Sequence, residues 1–213
     1  MKELLIIRPL YFYFLFIPFL AAGLIVIAGT DKSSLFLWSN QYHSRLADVI
    51  FTWLTWVGNG AFFLVLVVLV FFRNMGNGIL GATVFIVSSL LPQLLKNFSF
   101  PHALRPIRFF EGKQVIYLVE GVKQHAYHSF PSGHAATAVA MAIFLTLIVK
   151  DRRWGLLFAA LALLVAFSRV YLAQHFFEDI YAGSCIGCLS TLLVFAFMEK
   201  WVRQKKKLQR RLI

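Results

Sequence analysis

Long apolar runs alternate with polar stretches along this chain, and the runs have the length of membrane crossings. Blocks at about 9–29, 58–73, 78–95, 134–150, 154–174 and 180–200 are built mostly of Leu, Val, Ile, Phe and Ala. A helix needs roughly 20 such residues to cross about 30 Å of hydrocarbon. The pattern predicts an all-α, polytopic membrane protein with six transmembrane helices in a bundle. Ahead of the second run, Leu46, Val49, Ile50, Trp53, Leu54 and Val57 recur at three-and-four spacing. That spacing predicts that the helix begins earlier, with an amphipathic turn lying at the interface. The run from Pro9 to Ala28 exceeds the roughly 7–15 residues of a signal-peptide core and is read as an uncleaved first span. No internal repeat or low-complexity linker divides the chain. Residues 1–213 therefore read as one membrane-embedded unit, with a long connection at 96–133 and a basic tail at 201–213.

Composition agrees: 60% of residues are hydrophobic and 14% charged, too apolar for an ordinary soluble domain. The net charge of +12 does not indicate nucleic acid, because the basic residues form short clusters between apolar runs rather than one basic face. They report topology instead. The N-terminus with Lys2 and Arg8, the turn at Arg73, the turn at Lys150, Arg152 and Arg153, and the tail from Lys200 hold thirteen of the twenty-one basic residues. With six spans these four regions share one face, which the positive-inside bias makes cytoplasmic. The opposite face holds six of the nine acidic residues and all six histidines and is expected to be extracytoplasmic. In the tail, Lys205, Lys206, Lys207, Arg210 and Arg211 read as an anchor on anionic lipid. Cys185 and Cys188, set among Gly183 and Gly187 in an apolar run, read as small packing residues rather than a redox pair. Oligomeric state is not legible.

Three polar clusters stand out on the outer face. In the stretch SRVYLAQHFFED, Ser168, Arg169, His175 and Asp179 sit at the end of the fifth run, where ionisable groups are costly unless paired or functional. On a continuous helix His175 and Asp179 share a face, with Ser168 near the same stripe. A carboxylate there would fix one ring nitrogen as a donor and leave the other as nucleophile or base, although such a pair alone can equally be structural. In FPSGHAAT, Pro131, Ser132, Gly133 and His134 precede the fourth run. Ser129 or Ser132 can cap this helix, and Gly133 lets a ligand approach the backbone. Free amides at a helix start suit an anion, with His134 at its edge as a proton donor. In LLKNFSFPHALRP, Lys96 and Arg105 are cations on a face where few are expected, and both suit phosphate oxygens. The spacing of His102, His125 and His128 fits no common zinc site.

Together the clusters resemble the type 2 phosphatidic acid phosphatases, membrane phosphatases that share an active-site plan with vanadium haloperoxidases. The family pattern of proline-serine-glycine-histidine, then serine-arginine, five residues, histidine, three residues and aspartate, is matched without a gap from Pro131 to His134 and from Ser168 to Asp179. The lysine-to-arginine motif departs: eight residues separate Lys96 from Arg105, where the family has six. The resemblance implies a lipid phosphatase of the bacterial cytoplasmic membrane with its site at the extracytoplasmic ends of the spans. By it, His175 attacks phosphorus, Asp179 orients it, and His134 protonates the departing oxygen. Lys96, Arg105, Arg169, the Ser132 hydroxyl and the Gly133 amide hold the phosphoryl oxygens, with no metal or other cofactor. The expected partner is a lipid phosphate presented by the bilayer. Undecaprenyl pyrophosphate, phosphatidylglycerol phosphate, phosphatidic acid and lipid A phosphates all fit. A lipid phosphotransferase using the same intermediate, or a non-catalytic lipid-binding membrane protein, are the alternatives.

Overall fold

The computed structural model describes the backbone of residues 9–209 and side chains as far as Met198. Among these residues all regular structure is helical, without strands, and residues 110–132 form a long irregular connection. In order the helices are α1 (Leu10–Gly29), α2 (Lys32–Asn40), α3 (Arg45–Leu54), α4 (Gly60–Arg73), α5 (Met75–Leu94), α6 (Pro106–Phe109), α7 (Gly133–Ile148), α8 (Trp154–Tyr171) and α9 (Phe177–Gln209). A 3₁₀ turn, Thr55–Gly58, joins α3 to α4, and a wider π-type turn, Leu95–Ser99, extends α5. The basic residues Lys2, Arg8, Arg210 and Arg211 lie outside the described residues, and no side chain of the tail is described.

Four segments are long and apolar enough to cross a membrane: Leu10–Gly29, Met75–Ser99, Trp154–Tyr171 and Phe177–Met198. A fifth arises if α3 with its 3₁₀ turn and α4, which meet at a 53° bend, count as one broken span. On α3, which starts ahead of the second apolar run as its spacing predicted, Leu46, Val49, Ile50 and Trp53 are exposed. The fourth expected span, α7, has only 16 residues; at about 1.5 Å per residue it falls short of the hydrocarbon thickness. Its surroundings explain this. α7 packs against α5, α8 and α9, and nearly every residue from Ala135 to Leu147 is buried, so protein rather than lipid encloses it.

Small residues make that enclosure possible. A Cβ on Gly187 of α9 would stand 2.2 Å from the Ala136 carbonyl, and one on Gly183 would stand 2.3 Å from the Ser132 carbonyl. The two glycines, four residues apart on one helical face, bring α9 against the backbone at the start of α7. Cys185 and Cys188 are free thiols on the same helix. Side chains on α1 and α4 such as Phe14, Ile25 and Phe72 remain exposed, as lipid-facing positions should.

One helical expectation fails. The fifth run does not continue as helix to residue 174; α8 ends at Tyr171 and α9 begins at Phe177. Ala173 takes a positive φ of 54° in the intervening turn. The turn closes on a single acceptor: the Arg169 carbonyl receives both the Gln174 and the His175 amides, at 2.9 and 3.1 Å.

Candidate active site

The break between α8 and α9 builds the site. His175 leaves the helix and sits on the turn, while Asp179 occupies the first turn of α9. They still meet, His175 Nδ1 to Asp179 Oδ2 at 3.2 Å, with both side chains buried. Their common face is thus the product of a turn and a helix start, not of one continuous helix. Ser168 does not join them. It is buried on α8 and its hydroxyl donates to the Val165 carbonyl at 2.6 Å.

Asp179 is held from three sides. Its Oδ2 accepts from the Phe176 amide at 2.9 Å and from the Ser129 hydroxyl at 2.5 Å, besides facing His175. Its own carbonyl accepts from the Ser132 amide at 2.9 Å, which fastens the turn before α7 to the start of α9. An ionised carboxylate accepts only, so the proton shared with His175 sits on Nδ1 and the lone pair is left on Nε2. Burial, then the positive charges of Arg105, Lys96 and Arg169, push His175 well below the ordinary histidine range. The ring is neutral, and therefore nucleophilic, at neutral pH.

Ser132 and Ser129 divide the two roles the sequence left open between them. Ser132 caps α7, accepting from the Ala135 amide at 3.4 Å, and Ser129 braces the carboxylate. Ser132 is buried and its oxygen is engaged as the helix cap; capping uses a lone pair and leaves the hydroxyl proton available as a donor. Gly133 does reach the cavity, and a Cβ there would meet nothing within 4 Å, which leaves its backbone open to a ligand.

A cavity of about 440 Å³ lies over this turn, lined among others by Lys96, Arg105, Gly133, His134, Arg169 and His175. Lys96 and Arg105 reach the same cavity despite their longer separation. The π-type turn carries Lys96, and Arg105 lies just ahead of α6. The arginines differ in how they are used. Arg105 donates to the carbonyls of Tyr127, Gln174 and His128 and to the Gln174 side chain, at 3.0 to 3.5 Å. Those four bonds occupy four of its five N–H groups. Arg169 donates to Thr55 Oγ1 at 2.6 Å and to Gln174 Oε1 at 3.4 Å, while its Nε, buried, has no partner. Ser89 Oγ, on the same cavity wall, is the other buried side-chain polar atom without a partner among the described residues. Unpaired buried polar atoms are costly, and both belong to residues that line this cavity.

Thr55 and Gln174 were not singled out by the sequence reading, and Ser129 was considered only as a helix cap. Gln174, a polar residue between two apolar runs, carried a signal; Thr55 and Ser129 carry theirs only through partners more than forty residues away. His125 lines the cavity, the His128 carbonyl holds Arg105, and His102 is exposed. No group of three or more His, Cys, Asp or Glu side chains gathers in a metal-ligand arrangement among the described residues.

A helical membrane bundle that gathers a buried His–Asp couple and three cations around one cavity defines a membrane protein equipped to handle phosphate. A family model of the PAP2 superfamily matches residues 77–203, and the chain belongs to that superfamily, with relatives named as lipid phosphatases. It is 30% identical over 172 residues to phosphatidylglycerophosphatase B of Bacillus subtilis, covering 74% of this chain and 78% of that one. It is 33% identical over 87 residues to the lipid A 4'-phosphatase of Bacteroides thetaiotaomicron, covering 40% of this chain and 38% of the relative. Among solved structures, the first transmembrane PAP2-type phosphatidylglycerolphosphate phosphatase from Bacillus subtilis superposes with a TM-score of 0.65. It is 26% identical, over 92% of this chain and 98% of that one. The Aquifex aeolicus LpxE crystal structure shares the fold, with a TM-score of 0.68 at 23% identity over 80% of this chain and 98% of that one.

Proposed function

We propose that this chain hydrolyses a phosphomonoester or pyrophosphate of a membrane lipid through a phosphohistidine at His175. The observation that carries the reading is the buried His175 ring, tied at Nδ1 by Asp179, on the wall of a cavity that also holds Lys96, Arg105 and Arg169. Nε2 attacks phosphorus, and the bond from phosphorus to the lipid oxygen breaks. His134, on the same wall, supplies the proton that leaves with that oxygen. Water then attacks the phosphohistidine while His134, now deprotonated, takes a proton from it; the N–P bond breaks, phosphate leaves, and both histidines return to their starting forms. Asp179 stabilises the charge the ring gains while phosphorylated. Arg169, with its unpaired Nε, and the Gly133 amide grip the phosphoryl oxygens; Lys96 and Arg105 add positive charge where negative charge develops. With this charge supplied by side chains, activity is expected to persist in the presence of a chelator.

The substrate class is the one shared by relatives named phosphatidylglycerophosphatase, lipid A 4'-phosphatase and undecaprenyl-diphosphatase. Phosphatidylglycerol phosphate, undecaprenyl pyrophosphate, phosphatidic acid and lipid A phosphates are the candidates. The positive-inside distribution supports six spans in a bacterial cytoplasmic membrane, both termini cytoplasmic and the cavity extracytoplasmic. The test is a phosphate-release panel over these lipids in detergent. The wild type should act on at least one, and His175→Ala should lower the rate on every one by roughly a thousandfold or more. A variant retaining substantial release would remove His175 as the nucleophile.

A further inference from the structure

Gln174 stands immediately before His175 and is 2% exposed, yet the reaction scheme gives it no task. Its hydrogen bonds are unusually many. The side-chain oxygen accepts from Arg105 at 3.1 Å and from Arg169 at 3.4 Å. The backbone oxygen accepts from Arg105 again, at 3.2 Å. The side-chain nitrogen donates to the Gln124 side chain at 2.6 Å and to the Lys123 carbonyl at 3.1 Å. The Gln174 amide and the His175 amide share the Arg169 carbonyl. Both guanidiniums and the 123–124 segment thus meet on one side chain, that of the residue preceding the nucleophile.

Two guanidiniums side by side repel each other, strongly so away from water. A shared neutral oxygen between them supplies an acceptor to each without cancelling either charge. A carboxylate in that place would neutralise part of the charge a phosphate needs. An apolar side chain would leave two buried donors unpaired and the repulsion unopposed. Only an amide also offers the two donors that reach residues 123 and 124.

We propose that Gln174 is the positioning residue that sets the two arginines in register with each other and with His175, and couples them to the 123–124 segment of the 100–132 connection. The proposal rests on the phosphatase reading above and concerns how its anion grip is built.

The test compares wild type, Gln174→Leu and Gln174→Glu, purified in detergent, for lipid-phosphate turnover and for binding of orthovanadate, a phosphate mimic. Binding is read both as inhibition and as thermal protection, so it does not depend on turnover. Gln174→Leu is expected to raise KM and the vanadate concentration for half effect about tenfold or more, the size expected for hydrogen bonds to charged groups. Gln174→Glu should raise the vanadate concentration further, because the new carboxylate competes for the same guanidiniums. A merely structural role would lower kcat through fewer active molecules and leave both constants at wild-type values; that result overturns the proposal. Should neither substitution fold, Gln124→Ala, which cuts the tether alone, should raise the vanadate concentration several-fold, and an unchanged value overturns it equally. Wild-type protein that binds vanadate but releases phosphate from no lipid would count against the phosphatase reading and leave the arginine register to be judged by vanadate alone.

Discussion

The middle of α7 and its N-terminal end obey different rules although they belong to one helix. In the middle, Ala138, Ala140, Ile143 and Phe144 are buried among apolar neighbours, and what matters is volume: the Phe144 ring fills the space where a Cβ on Gly81 would stand. At the N-terminal end, Ser132, Gly133 and His134 sit among polar groups from the 3₁₀ turn, the π-type turn, the 100–132 connection and the α8–α9 turn. There each partner is individually specified. The middle tolerates changes of chemistry that keep shape, whereas the end tolerates changes of shape only where they keep a proton, a lone pair or a charge in place. Stability and chemistry are therefore carried by separable stretches, joined where Gly183 and Gly187 let α9 lie against the start of α7.

Asp179→Asn should show the largest effect at the polar end. The amide nitrogen introduced there would donate to Nδ1 and leave the proton on Nε2, so kcat should fall by about a thousandfold or more, as wrong-tautomer changes do; the same nitrogen would face the Phe176 amide, so the thermal midpoint should fall as well. Gly187→Val strikes the joint. Its side chain would run into the Ala136 carbonyl, and the thermal midpoint in detergent should drop by several degrees while KM of the surviving folded fraction stays put. Ser129→Ala removes one of the three groups holding the Asp179 carboxylate. Activity should fall by about tenfold, the worth of one hydrogen bond to a charged group, measured as kcat against an unchanged substrate preference. The smallest expected effect is one of pH. Because Arg105 is among the charges that depress His175, Arg105→Gln should raise the histidine toward its ordinary range. Protonation then silences the nucleophile at higher pH, and the acid limb of kcat/KM should move upward relative to wild type. A limb that stays in place would separate Arg105 from the nucleophile's electrostatics.

Much of this was legible in the sequence because the apolar runs and short motifs are local signals. The runs reported helices, and the proline-serine-glycine-histidine motif reported a helix start next to a histidine. The break after Tyr171 was not legible. The segment from Ser168 to Asp179 keeps a helical rhythm of apolar residues, and the residue with positive φ is Ala173, not the glycine that would mark a turn. The short length of α7 was equally hidden, since composition alone cannot tell a helix wrapped by protein from one wrapped by lipid. Ser129, Thr55 and Gln174 owe their roles to partners brought together by folding, and Lys96 and Arg105 reach one cavity across a stretch that begins in a π-type turn no residue type announces. Ser132 was legible as a helix cap from its place before the fourth apolar run, and its oxygen holds that position.

The most direct test of the account is to catch the nucleophile with the phosphoryl group on it. Wild-type protein mixed with a radiolabelled lipid phosphate and quenched within milliseconds into alkali, where phosphoramidate bonds survive, should carry acid-labile label that peptide mapping assigns to His175, and His175→Ala should carry none. Label on another residue, or label persisting in His175→Ala, would contradict it.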